Sequence, residues 1–176
     1  MAHDYLPGMK LDQRLQLAAA RPEPAIWIRE VMFLKEFSPE GVLRRIRLRR
    51  GLNVLWAKPP TEDTALFERG GVSGHAAGKT TFCRLLRWIL GEGNFGDDDL
   101  REAVRRKLLR GGVAAEVVVK GVSWLVWREF RKGGRSYCSS GKRLDDLFSP
   151  DLDRAPFADY AAAVAEVIEP TARGVT

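Results

Sequence analysis

Cysteine is scarce: Cys83 and Cys138 are the two in the 176 residues. Two thiols are too few for a disulfide scaffold or a cysteine-rich zinc site, which leads to an expected reducing, cytoplasmic setting. Long hydrophobic runs are missing too. Charged residues make up 30% of the chain, and no segment offers the roughly 20 consecutive apolar residues of a membrane span, so no membrane partner is expected. The opening stretch, MAHDYLPGMKLDQ, has no basic region followed by an apolar one, which predicts no secretory signal. There is no internal repeat or low-complexity tract. What the chain does have is 45% apolar residues, enough to fill one core at this length. Its 29 Lys and Arg against 23 Asp and Glu give +6, a modest lean toward polyanionic partners.

Glycine and proline divide the chain. Residues 1–24 read as a peripheral N-terminal segment, with a short amphipathic helix over Leu11–Ala20 that stops before the two prolines of RPEP. From Ala25 the texture changes. AIWIREVMFLKEF is rich in branched and aromatic residues and predicts a strand, SPEG a turn, and VLRRIRLRR a half-exposed strand alternating apolar with basic residues. After Gly51, the compact run GLNVLWA suits a strand buried on both faces. Lys58–Val72 is polar and breaker-rich, a loop of about 15 residues, a length that tends to be functional.

Beyond it, Phe82, Leu85, Leu86, Ile89 and Leu90 fall at helical spacing, with Gly91 as the stop. A second helix is expected over DDDLREAVRRKLLRGG, aspartates first and basic residues last, as the helix dipole favours. The period then returns to two. AAEVVVKGVSWLVWREFRKGGRSYCSS predicts three antiparallel strands joined at KG and KGGR. A short helix or loop around Leu144–Phe148 and a helix from about Pro156 to Ile168, stopped by Pro170, close the chain.

The chemistry concentrates in SGHAAGKTT, Ser73 to Thr81, after the expected buried strand and at the start of a helix. It follows the phosphate-binding pattern GxxxxGK[ST], in which backbone amides and a helix N-terminus surround phosphates, the lysine reaches the terminal phosphate and the hydroxyl binds magnesium. Ser73 stands where the pattern has its first glycine, and its Cβ restricts the tight turn. Small residues at Gly74, Ala76, Ala77 and Gly78 suit close approach of a phosphate; an ordinary loop-to-helix junction would not require them. His75 could touch a phosphate or a partner subunit, or simply face solvent, and its position leaves the choice open.

In this order, a strand pair, RLRRGLNVLWA, a P-loop, a helix ending LLRWILGE and the set EVVVKGVSWLVWREF, the chain resembles the N-terminal half of an ABC-type ATPase head of the SMC and RecF kind over roughly Ala25 to Phe130. The resemblance implies an α/β fold: a P-loop NTPase half-head with a mixed sheet and an antiparallel β subdomain, spanning 25–176. It implies ATP and Mg2+ as cofactors. Lys79 would contact the β- and γ-phosphates as the catalytic residue, Thr80 would ligate the magnesium, and Thr81 with the segment Ser73, Gly74, His75, Ala76, Ala77 and Gly78 would hold the phosphates. It also implies an ATPase acting on DNA in repair, chromosome organisation or defence, working as a head-to-head dimer.

The chain departs from that family in several places. The 58–72 loop separates GLNVLWA from the P-loop, Ser73 and Ala76 replace two glycines, no apolar run ends in paired acids, no LSGGQ-like signature occurs and no glutamine follows Gln16. Hydrolysis needs an oriented water and a further magnesium ligand. A C-terminal half-head or second subunit is therefore the expected partner. Two other functions compete: a small P-loop nucleotide or metabolite kinase, and a non-catalytic basic binding module. Antiparallel strands over Ala115–Ser139 argue against the kinase.

Two basic stretches, Arg44–Arg50 and Arg101–Arg110, would attract DNA phosphates or else form solvated faces. Trp124 and Trp127, three apart on a strand, are expected on opposite faces, one in the core and one able to stack on an adenine or a partner. Cys83 is expected on the buried face of its helix, and both thiols are expected to be inert.

Overall fold

The computed structural model describes residues 24–51, 53 and 77–172. The expected buried strand GLNVLWA, apart from Gly51 and Asn53, the 58–72 loop and the peripheral segment before Pro24 lie outside them.

Among the described residues six strands form one sheet: β1 (Ile26–Leu34), β2 (Val42–Arg47), β3 (Gly112–Val119), β4 (Val122–Glu129), β5 (Ser136–Ser140) and the short β6 (Ala155–Pro156). Their order is β2-β1-β3-β4-β5-β6, and every neighbouring pair is antiparallel. Three helices complete the described chain: α1 (Ala77–Ile89), α2 (Asp98–Lys107) and α3 (Phe157–Ala172). The fold is thus mixed α/β on a six-stranded antiparallel sheet. Where a mixed sheet was expected, the described strands pair only in antiparallel fashion, and among the described residues the one parallel contact is the isolated bridge between Glu36 and Arg110.

Local chemistry explains the elements. Ser38 accepts from Gly41 N through its hydroxyl at 3.0 Å, closing the turn before β2. Asp97 caps α2, its carboxylate accepting from Leu100 N at 2.9 Å. Lys120 and Gly121 join β3 to β4 with φ of 48° and 82°, the double left-handed geometry of a tight hairpin turn. Gly112 lets β3 lie against Trp127, whose ring would be 2.5 Å from a Cβ there. One expectation fails at α3, which continues through Pro170 to Ala172. So near the end of the helix, the missing amide of a proline forfeits a single hydrogen bond, and the last residues stay helical.

The sheet separates two cores. On one face Val31, Val113, Val117, Val119 and Val126 pack under Leu85, Trp88 and Ile89 of α1 and Tyr160 and Val164 of α3, with Val104 of α2 at the margin. On the other, Met32, Leu34, Ala114, Leu125 and Trp127 meet Leu144, Leu147 and Leu152 from the segment after β5. β3 crosses the middle with all eight residues buried. The two tryptophans of β4 do divide between the faces, Trp124 against Tyr160 and Trp127 against Phe37, so both are packed within the chain.

Candidate functional site

Site geometry starts at α1. Ala77, Gly78, Lys79, Thr80 and Thr81 form its first turns. Ser73, Gly74, His75 and Ala76 lie outside the described residues. A helix opening at this point presents amides with no intrahelical acceptor and the positive end of its dipole. Thr80 is exposed and Thr81 half-buried.

What holds α1 in place is apolar. Leu85, Trp88 and Ile89 are buried against the sheet, and Phe82 meets Phe33 of β1 with ring centroids 6.2 Å apart. Thr80, Cys83 and Arg87 form the exposed stripe. Cys83 therefore does not lie on the buried face as the spacing suggested. Trp88 widens the buried arc on the side away from it, and at 3.6 residues per turn Cys83 stands about 200° from Leu85. Cys138 is buried, its thiol 3.2 Å from the Pro156 carbonyl, and burial pushes its pKa up.

The far end of α1 is fixed by a residue that sequence reasoning noted only as an interruption. Arg128 of β4 donates from Nη1 to the carbonyls of Trp88 at 2.5 Å and Glu92 at 2.8 Å. Its guanidinium lies between the rings of Trp88 and Phe157, 4.2 and 4.4 Å from their centroids. Burial pushes its pKa down to about 10, so it stays charged at neutral pH. Arg128 thereby ties the helix that starts at the glycine-rich segment to β4 and to the start of α3.

The first basic stretch is largely occupied within the protein. Arg45 forks onto Glu30 with both bonds at 2.7 Å and reaches Asp145 at 2.7 Å, while Arg47 meets Glu30 at 3.0 Å. Hydrogen bonding by Arg45 holds the Glu30 and Asp145 carboxyls below their ordinary values. Arg50 lies over the Trp27 ring at 4.9 Å. Arg44 is left exposed. In the second stretch Arg101 pairs with Asp98 and Arg105 donates to the Phe130 carbonyl at 2.9 Å, whereas Arg106, Lys107 and Arg110 are exposed.

Among the described residues no group of three His, Cys, Asp or Glu side chains is placed to hold a metal, and no helix is long and apolar enough to cross a membrane. No family model, no curated protein and no solved structure matches this chain.

Proposed function

We propose that the chain is the nucleotide-binding half of an SMC- or RecF-like ATPase head, binding ATP with Mg2+ and acting on DNA together with a C-terminal half-head or second subunit. The observation that carries this reading is the start of α1. Gly78, Lys79 and Thr80 of the motif fall in the first turn of a helix whose body is anchored on the sheet, where free amides and the dipole favour a phosphate. The all-antiparallel β3–β4–β5 order supports it over a small P-loop kinase, whose chain would continue with parallel strands.

The residues present fit the nucleotide as a holder. Lys79 would supply the positive charge opposite the β- and γ-phosphates, and the amides of the 74–78 segment would cradle them. Thr80, exposed at the helix start, would offer its hydroxyl to magnesium, whose remaining ligands come from the phosphates and from a partner element. Bound ATP and magnesium supply the phosphoanhydride and its charge neutralisation; the chain orients them.

Equilibrium binding of a fluorescent ATP analogue with magnesium tests the reading. Lys79→Ala should weaken binding at least tenfold, and Thr80→Ala should remove most of its magnesium dependence. No binding by the unaltered chain would leave only a non-catalytic basic module.

A further inference from the structure

We propose that the cleft between α2 and the β4–β5 turn is an anion site that takes a phosphate group. The cleft, of about 460 Å3, is lined by Trp88, Gly93, Asn94 and Phe95, at and beyond the C-terminal end of α1. Arg101 and Arg105 of α2, Arg131 and Lys132 of the turn, and Arg128 line it, against the carboxylates of Asp98, Glu102 and Glu129. Five cations thus face three acids. Two of those acids are already engaged: Asp98 pairs with Arg101, and Glu129 accepts from Arg135 N at 2.9 Å and lies 3.5 Å from Arg131. Glu102 is exposed.

Two guanidinium nitrogens of lining residues, Nε of Arg101 and Nε of Arg128, are shut off from solvent and have no acceptor. An unpaired buried donor is costly, and both of these sit on side chains that line the basic cavity. Arg105 is held by its bond to the Phe130 carbonyl, which presents its fork in one orientation. Planar forks of this kind match phosphate oxygens in pairs.

The aromatic residues of the lining narrow the ligand further. Trp88, Phe95 and Phe130 are 5%, 2% and 2% exposed and pack on one another, with Trp88 and Phe130 stacked at 5.9 Å. They offer no free face to a base or sugar. Recognition is therefore by charge, and the common chemistry is a phosphate, either a small free one or the diester of a nucleic-acid strand.

Calorimetric titration with inorganic pyrophosphate tests this, in the Lys79→Ala chain so that the glycine-rich segment is silenced. One site should remain. Adding Arg101→Gln with Lys132→Gln should weaken it at least tenfold, while Arg106→Gln with Lys107→Gln, exposed cations outside the cleft, should change it less than twofold. Thermal melts of both double variants should match the parent. In a chain with Lys79 intact, the cleft variant should still bind the ATP analogue normally, so this site and the proposed nucleotide site fail separately. A labelled 12-nucleotide single strand distinguishes the sources: displacement by pyrophosphate and loss in the cleft variant assign the diester, and indifference to the cleft variant assigns the free phosphate. Absence of pyrophosphate binding in Lys79→Ala, or equal losses in the two double variants, overturns the proposal.

Discussion

On one side of the sheet two carboxylates stand opposite each other, Glu30 on β1 and Glu116 on β3; on the other a single guanidinium, Arg128, lies between two rings. Like charges paired across strands repel. The carboxylate side answers with side-chain donors. Arg29, brought round by an irregularity in β1 between Ile28 and Glu30, reaches Glu116 at 2.6 Å. Ser123 and Leu144 N donate to the same carboxylate at 3.1 and 3.3 Å, and Arg45 and Arg47 serve Glu30. The guanidinium side uses no carboxylate. Arg128 takes backbone carbonyls at the end of α1, where the helix dipole already favours a cation. A buried acid here needs several donors gathered from distant strands, whereas a buried base needs only a helix that ends beside it.

That contrast can be broken from either side. The largest effect is expected from Trp88→Ala, which opens a cavity beneath α1 and removes one ring against Arg128: about 4 kcal/mol lost in urea unfolding. Glu116→Ala should cost about 3 kcal/mol by the same measurement, because it abandons Arg29, Ser123 and Leu144 N together. Arg128→Met keeps the volume but leaves the two carbonyls without their donor. About 2 kcal/mol is expected, with faster amide exchange confined to the last turn of α1.

Glu30→Gln sharpens the comparison through pH. The folded carboxyl titrates below its ordinary value of 4.5, so the stability it contributes is fully present above that value and is lost as pH falls through the lower, folded one. Unaltered and Glu30→Gln chains should differ by about 1 kcal/mol at neutral pH, since the arginines are partly solvated, and converge in thermal melts once the pH has fallen through the folded value. Lys120→Asn belongs to neither side. Asparagine accepts a positive φ more readily than lysine, so a gain of about 0.5 kcal/mol is expected despite loss of the exposed contact with Glu166.

Much of this architecture could be read in the residues. Alternation gave away β2, β3, β4 and β5, and the aspartates before α2 and the glycines after it framed that helix. Those signals are local. The role of Arg128 is not, since its partners are Trp88 and Glu92, 40 and 36 residues away, and the ring of Phe157. Glu30 and Glu116 each stood as a lone acid inside an apolar strand; the arginines at alternate positions of β2 were a signal that could have paired Glu30, whereas the donors to Glu116 come from β1, β4 and the segment after β5. Cys83 was misplaced because Trp88, left out of the spacing of the leucines, extends the buried arc of α1 on the side away from it. The motif at 73–81 was legible as a pattern, and the structure adds the helical placement of its second half.

The order of strands also carries a kinetic consequence. β3, β4 and β5 can zip up as neighbouring hairpins, but β1 must wait for β3, with Leu34 meeting Gly112 and Ile26 meeting Val119. Closing so long a connection slows folding. On a ribosome adding 5 to 20 residues per second, the first ribbon would stand for roughly 4 to 16 seconds before its mate is made. The arginines along β2, the outermost of the described strands, then have a second use: mutual repulsion discourages a neighbouring nascent chain from completing the sheet first.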